Sequence, residues 1–478
     1  MKIAMVASEI NPLAKSGGLA DVVYALSKEI VKKGEEVICV MPYYASVNKA
    51  LKGRPVERVG GFLVYLSWRR GMADIYKTEI DGITYYLIGN DEYFNRPQLY
   101  GYDDDGERFA FFSLAARGLF EFIKYRPDVI HIHDWQTGMI PVLVKIQNRH
   151  NAFFSNVKFV LTIHNPAFKG YLAPNALGDL YNLPMSLYDD GSTRFENMVS
   201  TLKAGIVYSN KITTVSPTHR NELLTREGSF GLDGVMWTRE FDFCGFLNGI
   251  DTEEFNPGTD AYIPHHFSIK DFSKGKKANR DALFEECGMK DHGGPTFGLV
   301  SRLTFQKGID LVADVLPELL DRGAHFVLCG SGEYGLEQRM EQLRKAYPEQ
   351  VGIYIGYSNE RAHKVYASSD YFLMPSSFEP CGIGQMVAQA YGTLPIVRYT
   401  GGLADTVAGY KDVPDDKCTG IGFKDYDIGG LRYACNLAME LYEKPKLFKA
   451  IQKQCLEKDN SWAVSAELYL GLYKSICA

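Results

Sequence analysis

Short runs that are apolar at successive positions alternate with helical stretches along this chain, and the pattern occurs twice. In the first half the runs are KIAMVAS, EEVICVMP, DVIHIHDW, VKFVLTIHN and KITTVS. A strand apolar on both faces must be covered on both, which is the situation of a parallel sheet flanked by helices. Helix-like segments at about 107–124 and 196–209 lie between them. The second half repeats the logic with TFGLVSR, HFVLCG, VGIYIG, YFLMPS and LPIVRY, separated by predicted helices at about 309–321, 335–346, 359–369 and 382–391. The reading is an α/β protein with two doubly wound parallel sheets. One stretch departs from it: residues 61–88, containing DIYKTEIDGITYYLIG, read as an antiparallel hairpin.

At 478 residues the chain can build two cores. A boundary near Asn248-Gly249-Ile250-Asp251, ahead of the polar stretch 255–280, predicts domains 1–247 and 248–458. The remainder, 459–478, carries Trp462, Ala466, Tyr469 and Tyr473 at helical spacing and is expected to pack back on the first domain as a helix.

The two halves also share a motif. Gly17-Gly18-Leu19-Ala20-Asp21-Val22-Val23 is echoed by Gly401-Gly402-Leu403-Ala404-Asp405-Thr406-Val407, identical at six of seven positions. A glycine pair at a helix start lets an anion approach backbone N–H groups that have no intrahelical partner. Ser301 to Gly308 (SRLTFQKG) follows the strand TFGLV, and there Arg302 can fork onto a phosphate while Lys307 supplies a mobile charge. No strand-turn-helix carries GxGxxG, only the fragment Gly330-Ser331-Gly332, and GxxxxGK[ST] is absent. Dinucleotide enzymes and P-loop NTPases are thereby disfavoured.

Glu379 in SFEPCG stands beside a proline and a glycine at another strand end, suited either to accepting sugar hydroxyls or to a helix N-terminus. In the first half His131-Ile132-His133-Asp134 and His164-Asn165 end two strands in polar groups. HxHD invites a metal, but no further ligand motif follows, which favours a sugar-facing site. Asp103-Asp104-Asp105 matches the DxD of metal-dependent sugar transferases, yet its Gly- and Tyr-rich surroundings read as a solvated loop.

A net charge of −6 leaves no basic excess for nucleic acid. Thirty Tyr, 27 Phe and 4 Trp suit sugar or nucleotide faces as well as a core. Nine cysteines without a CxxC pair form no disulfide framework. The start MKIAMVASEINPLAK has no signal-like apolar run, and no segment reaches membrane-spanning length. A cytoplasmic protein without membrane partners is expected.

Together KSGGLADV, HIHDW, TIHN, LKAG with ITTVSP, NGID, SRLTFQKGID, SFEPCG, GTLPIVRYTGGLADTV and the SW-containing terminus resemble the bacterial glycogen synthase and starch synthase family over nearly the whole chain. The resemblance implies a GT-B fold, with two Rossmann-like domains facing an interdomain cleft. It also implies metal-independent, retaining transfer of glucose from ADP-glucose to the non-reducing end of an α-1,4-glucan, with no cofactor. By the same resemblance Lys15, Gly18, Arg302 and Lys307 would hold the diphosphate, and Thr400-Gly401-Gly402-Leu403 would offer backbone donors. Cys381 and Gly382 would border the donor, and Tyr357 would lie by the adenine. Glu379 would contact the transferred glucose, while His164 and Asp134 flank the reacting centre with Asn165 and Asn248 nearby. The acceptor end would lie towards Arg96 and Tyr100. The chain departs from the family's usual residues at Gly384, Lys169, Phe168 and Gln136, which bears on donor affinity and acceptor preference. Alternatives are a related GT-B transferase using UDP-glucose or another acceptor, and a glucan-binding relative with impaired catalysis.

Overall fold

The computed structural model describes residues 1–478 and resolves them into two compact units, Met1–Phe246 with Trp462–Ala478, and Leu247–Ser461. In the first unit β1 (Lys2–Val6) and β2 (Glu36–Pro42) are followed by β3 (Glu57–Leu66), β4 (Arg69–Ile80) and β5 (Ile83–Gly89). Then come β6 (Val129–His133), β7 (Lys158–Ile163), three short strands β8 (Tyr171–Leu172), β9 (Arg194–Phe195) and β10 (Met198–Ser200), β11 (Lys211–Thr214) and β12 (Phe243–Gly245). Nine of them form one sheet in the order β12-β11-β7-β6-β1-β2-β5-β4-β3.

The pairs from β12 through to β5 are parallel, and their central strands are buried on both faces. The expected hairpin is a three-stranded ribbon instead, because its last strand, β5, also pairs parallel with β2 and so extends the main sheet. The strand order reverses between β6 and β1, and open α/β sheets bind ligands beyond the carboxyl ends of strands at such a point.

Helix Gly18–Lys32 buries Leu19, Val22, Val23, Leu26 and Ile30, an i, i+3, i+4, i+7 stripe laid on this sheet. Helix Trp462–Cys477 packs against it within the same unit, with Ala466, Tyr469 and Tyr473 fully buried. The helix expected from about 196 starts only at Thr201. Glu196 and Asn197 both take positive φ (48° and 63°), and Met198–Ser200 form β10, so Ser200 becomes the cap, accepting the Lys203 N–H at 3.1 Å.

The second unit holds β13 (Thr296–Val300), β14 (His325–Gly330), β15 (Val351–Ile355), β16 (Tyr371–Met374), β17 (Leu394–Arg398) and β18 (Ile421–Phe423). All pair in parallel in the order β15-β14-β13-β16-β17-β18, the doubly wound dinucleotide-fold order, which reverses between β13 and β16. Helices Ile309–Leu320, Tyr334–Ala346, Asn359–Ser368 and Gly384–Ala390 connect the strands. The last begins two residues later than the sequence suggests, since Gly382 sits at φ +72° and cannot be helical. No helix of the chain is long and apolar enough to cross a membrane.

Candidate active site

Each sheet presents polar side chains where its strand order reverses. In the first unit, the loop after β1 carries Glu9, whose buried carboxylate accepts the Ser16 N–H. Lys15 Nζ lies 2.7 Å from Asp21 Oδ2, and Asn11 Nδ2 donates to the other Asp21 oxygen at 3.1 Å. Helix Gly18–Lys32 begins without a side-chain cap, and a Cβ on Gly18 would meet nothing within 4 Å. The space over this helix start is open to an anion.

Beside it, at the end of β6, Asp134 holds the left-handed conformation (φ +54°), a strained state for a residue with a Cβ that costs roughly 1–3 kcal/mol. Its Oδ1 accepts the N–H of His164 at 2.7 Å and that of Asn165 at 3.4 Å. Burial outweighs these bonds, and with the nearby Glu9 carboxylate it pushes the Asp134 carboxyl up to about 7. Burial likewise raises Glu9.

His133 Nδ1 lies 3.1 Å from His164 Nε2, and His131 stacks on His133 with ring centres 4.3 Å apart. Burial and the neighbouring imidazoles hold all three rings neutral, His131 and His164 at about 3 and His133 well below its usual value. His131 is committed to the hydroxyls of Tyr473 and Thr162, each at 2.6 Å, and no three His, Cys, Asp or Glu side chains are grouped to hold a metal ion. Tyr100 reaches the end of the neighbouring strand β1, its hydroxyl 2.8 Å from Ser8 Oγ. Arg96 does not join it: both terminal nitrogens donate to Asp104 at 2.6 Å, and its guanidinium lies over the Tyr102 ring. Asp105 is paired with Arg108, so two of the three aspartates expected in a solvated loop are ion-paired at the start of helix Asp105–Phe122.

Lys169 is buried, its ammonium 2.6 Å from the Pro166 carbonyl and over the rings of Phe195 and Phe230. Phe168 beside it is largely exposed, and Gln136 is buried with its Oε1 unpartnered.

In the second unit, Arg302 follows β13 and is exposed, and its guanidinium has no partner in the chain. Lys307 is ion-paired with Glu379 after β16, and Ser376 Oγ lies 3.3 Å from the same carboxylate. Gln306 Nε2 donates to the Phe378 carbonyl at 2.6 Å and the Ser377 N–H donates to Gln306 O at 2.9 Å, so the two loops are latched together.

The second glycine pair differs from the first. A Cβ on Gly401, at φ +44°, would fall 2.0 Å from Glu379 O, and one on Gly402 would fall 2.2 Å from Cys381 O. The Gly402 N–H donates to the Glu379 and Pro380 carbonyls (3.2 and 3.1 Å) and that of Leu403 to Thr400 O (3.1 Å), so these amides are already used within the chain. The Thr400–Leu403 turn therefore props the Glu379–Gly382 loop. Cys381 is buried and its thiol pushed up to about 12 by that burial, an inert apolar filler. Asn248 belongs to this unit, buried with its Oδ1 unpartnered and its backbone near the Cys381 thiol. Tyr357 is 85% exposed, its hydroxyl on Asn359 Oδ1 at 2.7 Å. At Gly384 an added Cβ would sit 3.1 Å from the Phe372 ring, a tight fit for any side chain there.

Sequence reasoning passed over Glu9 and Ser376. Glu9 stands three residues beyond β1, and this strand-end placement was the available signal.

Residues 2–238 match the starch synthase catalytic domain family, and residues 285–454 match the glycosyl transferases group 1 family. Glycogen synthases of Streptococcus agalactiae and Anoxybacillus flavithermus are 41% and 40% identical, covering all of this chain and 100% and 98% of their own. The catalytic domain of Starch Synthase IV from Arabidopsis thaliana, solved bound to ADP and acarbose, superimposes with a TM-score of 0.89 at 31% identity over 99% of both chains. Sucrose-phosphate synthase from Thermosynechococcus elongatus shares the fold, with a TM-score of 0.59 at 16% identity over 99% of this chain and 98% of its own. Full-length identity to glycogen synthases, with two parallel sheets that carry their polar residues at the strand-order reversals, establishes that this chain belongs to the glycogen synthase and starch synthase family of GT-B glucosyltransferases.

Proposed function

We propose that the chain transfers glucose from ADP-glucose to the non-reducing end of an α-1,4-glucan, with retention of configuration and without a metal ion. One observation carries the reading. In the loop after β13, an unpartnered Arg302 accompanies Lys307, whose ammonium is neutralised by Glu379. Two cations and a carboxylate in this arrangement suit a diphosphate joined to a sugar, with the phosphate oxygens on Arg302 and Lys307 and the sugar hydroxyls on Glu379. Taken by itself, the first unit also has an anion-attracting group in Lys15 beside the open helix start at Gly18. ADP in the Starch Synthase IV structure supports the nucleotide, and acarbose there supports a glucan.

As the bond from the anomeric carbon to the diphosphate lengthens, negative charge grows on the leaving oxygen and positive charge on the sugar. Arg302 and Lys307 meet the first, and removing such a donor costs about 2.7–4 kcal/mol of barrier in other enzymes. The acceptor hydroxyl attacks the same face, its oxygen bonds to the anomeric carbon, and its proton passes to the departing phosphate. Within the first unit His164, Asp134 and Asn165 are the groups suited to sugar hydroxyls and Tyr100 to the acceptor, and within the second Asn248 accompanies Glu379 as a sugar-binding group. Arg96, whose guanidinium is paired with Asp104, is not needed for this reading. Tyr357 stacks on the base, while Cys381, Gly382 and the Thr400–Leu403 turn shape the wall beneath the donor.

The test gives purified protein ADP-glucose or UDP-glucose with glycogen and EDTA, and follows released nucleotide and incorporated glucose. Transfer from ADP-glucose in EDTA is expected. Transfer from UDP-glucose alone would change the donor and keep the chemistry, and nucleotide binding without transfer would sink the synthase reading.

A further inference from the structure

Three imidazoles stand in a row at the ends of β6 and β7, and only the last is open to a ligand. His131 is fully buried and His133, stacked on it, is fully buried too, whereas His164 is half-buried and its Nδ1 has no partner within the chain. The ring centres step by 4.3 Å from His131 to His133 and by 5.3 Å from His133 to His164.

The proton arrangement in this row follows from counting donors. The buried Tyr473 hydroxyl has one proton and one neighbour, His131 Nδ1 at 2.6 Å, so it donates there. His131 then carries its own proton on Nε2 and gives it to Thr162 Oγ1 at 2.6 Å. Thr162 donates to Thr213 Oγ1 at 2.6 Å, and Thr213 to the Leu161 carbonyl at 3.4 Å. Every proton in the chain finds an acceptor, and the His131 ring is pinned flat under His133.

His133 and His164 share one hydrogen bond, at 3.1 Å, between His133 Nδ1 and His164 Nε2. A 3.1 Å contact between two ring nitrogens needs one proton between them, since two lone pairs or two N–H groups would repel, and burial keeps both rings neutral. The other nitrogen of His133, Nε2, is buried without any partner. A buried N–H without an acceptor is costlier and rarer than a buried lone pair without a donor. The proton therefore resides on Nδ1 of His133, and its Nε2 is the bare lone pair.

We propose that His133 is a positioning residue that sets the tautomer of His164: it donates Nδ1–H to His164 Nε2, so that His164 bears its own proton on Nδ1 and offers it as a hydrogen-bond donor to a hydroxyl of the sugar substrate. The identity of that hydroxyl's owner rests on the glucosyl-transfer reading, whereas the tautomer does not. His164 has its backbone fixed by Asp134 Oδ1 and its ring fixed by His133, so its remaining N–H is aimed before any ligand arrives.

The tautomer is measured directly. The chain has ten histidines, few enough for selective 15N-histidine labelling and long-range ring correlation spectra of the free protein near pH 7, with His164 assigned by its loss in H164Q. The expected result is a neutral His164 ring protonated on Nδ1. A ring protonated on Nε2 overturns the proposal. Turnover supplies the second readout. H133L removes the donor and is expected to lower kcat about tenfold, the worth of one hydrogen bond, with KM for ADP-glucose little changed. H133N, whose amide N–H occupies the place of Nδ1–H, is expected to restore most of that loss and to keep the Nδ1–H signal of His164. Equal kcat in H133L and H133N, both folded, also overturns the proposal. Should H133L not fold, the wild-type spectrum decides alone. Absence of any transfer by the wild-type chain overturns the sugar-donor half through the reading it rests on, while the spectrum still decides the tautomer.

Discussion

Asp134 Oδ1 accepts the backbone N–H of His164 at 2.7 Å, tying the end of β6 to the loop that leaves β7. The same carboxyl is buried and pushed up to about 7, so between roughly pH 4 and pH 7 the unfolded chain has lost a proton that the folded chain keeps. Stability therefore falls as pH rises across that window, by roughly 1.4 kcal/mol per pH unit while only the unfolded form is ionised. Asp134→Asn retains an oxygen for the His164 N–H and removes the titration. D134N should thus gain stability relative to wild type on going from pH 5 to pH 7.5, measured as the difference in Tm at the two values. Glu9, raised in the same direction, leaves a smaller slope of the same sign in the variant. A Tm difference that does not change with pH, or changes the other way, would show that Asp134 is ionised in the folded chain.

Lys307 and Glu379 neutralise each other, which separates their effects on product binding. ADP carries the phosphates without the sugar, so it competes with Glu379 for Lys307. Glu379→Ala is expected to bind ADP as tightly as wild type or tighter while abolishing transfer. Arg302→Ala removes a cation that has no partner in the chain, and each hydrogen bond to a charged group is worth about 1.5–3 kcal/mol. ADP affinity of R302A should fall at least about tenfold. Calorimetric titration of the three proteins measures this, and weaker ADP binding by E379A than by R302A would reverse the assignment.

The parallel sheets were legible because their strands are apolar on both faces, and the strand-end rule pointed to Asp134, His164, Arg302 and Glu379, which the structure places just beyond β6, β7, β13 and β16. What was not legible depended on partners distant in sequence. The resemblance places the acceptor end towards Arg96, and it cannot show that Asp104, eight residues on, takes both of its terminal nitrogens. His131 reads with His133 and Asp134 as sugar-facing rather than metal-binding, but it is turned inward, its partners Tyr473 and Thr162 coming from the last helix and a neighbouring strand. Glu9 lacked any motif, and only burial beside Ser16 and Lys15 brings it into the site.

Arg96 also gives a stability prediction at low pH. Its guanidinium holds the Asp104 carboxyl below its usual range, so the pair stabilises the fold above the unfolded pKa near 4, and that stabilisation is lost as pH falls further. Asp104 is partly exposed, which limits the effect to about 1 kcal/mol or less. Arg96→Met should lower Tm slightly at pH 7, by a margin that shrinks as pH falls below about 4, with transfer to glycogen little affected. A loss of acceptor affinity, seen as a raised KM for glycogen at unchanged Tm, would return Arg96 to the acceptor site.

The two Gly-Gly-Leu-Ala-Asp motifs are alike in sequence and opposite in environment, so one substitution in each distinguishes packing from binding. A Cβ on Gly18 meets nothing within 4 Å, and the position is the first of a 15-residue helix, where alanine is a better helix former than glycine. G18A should keep or slightly raise Tm, yet weaken ADP binding if the empty space is where an anion approaches the helix start. A Cβ on Gly402 falls 2.2 Å from the Cys381 carbonyl oxygen and 2.5 Å from its Cα, and neither backbone can yield without moving the Glu379 loop. Such overpacking typically costs about 1–3 kcal/mol, equivalent to a Tm loss of about 2–4 °C per kcal/mol for a unit of this size. G402A should therefore melt several degrees lower and lose transfer as Glu379 shifts. If instead G18A is the destabilised variant and G402A binds ADP weakly at an unchanged Tm, the second glycine pair is the anion site and the first is the structural one.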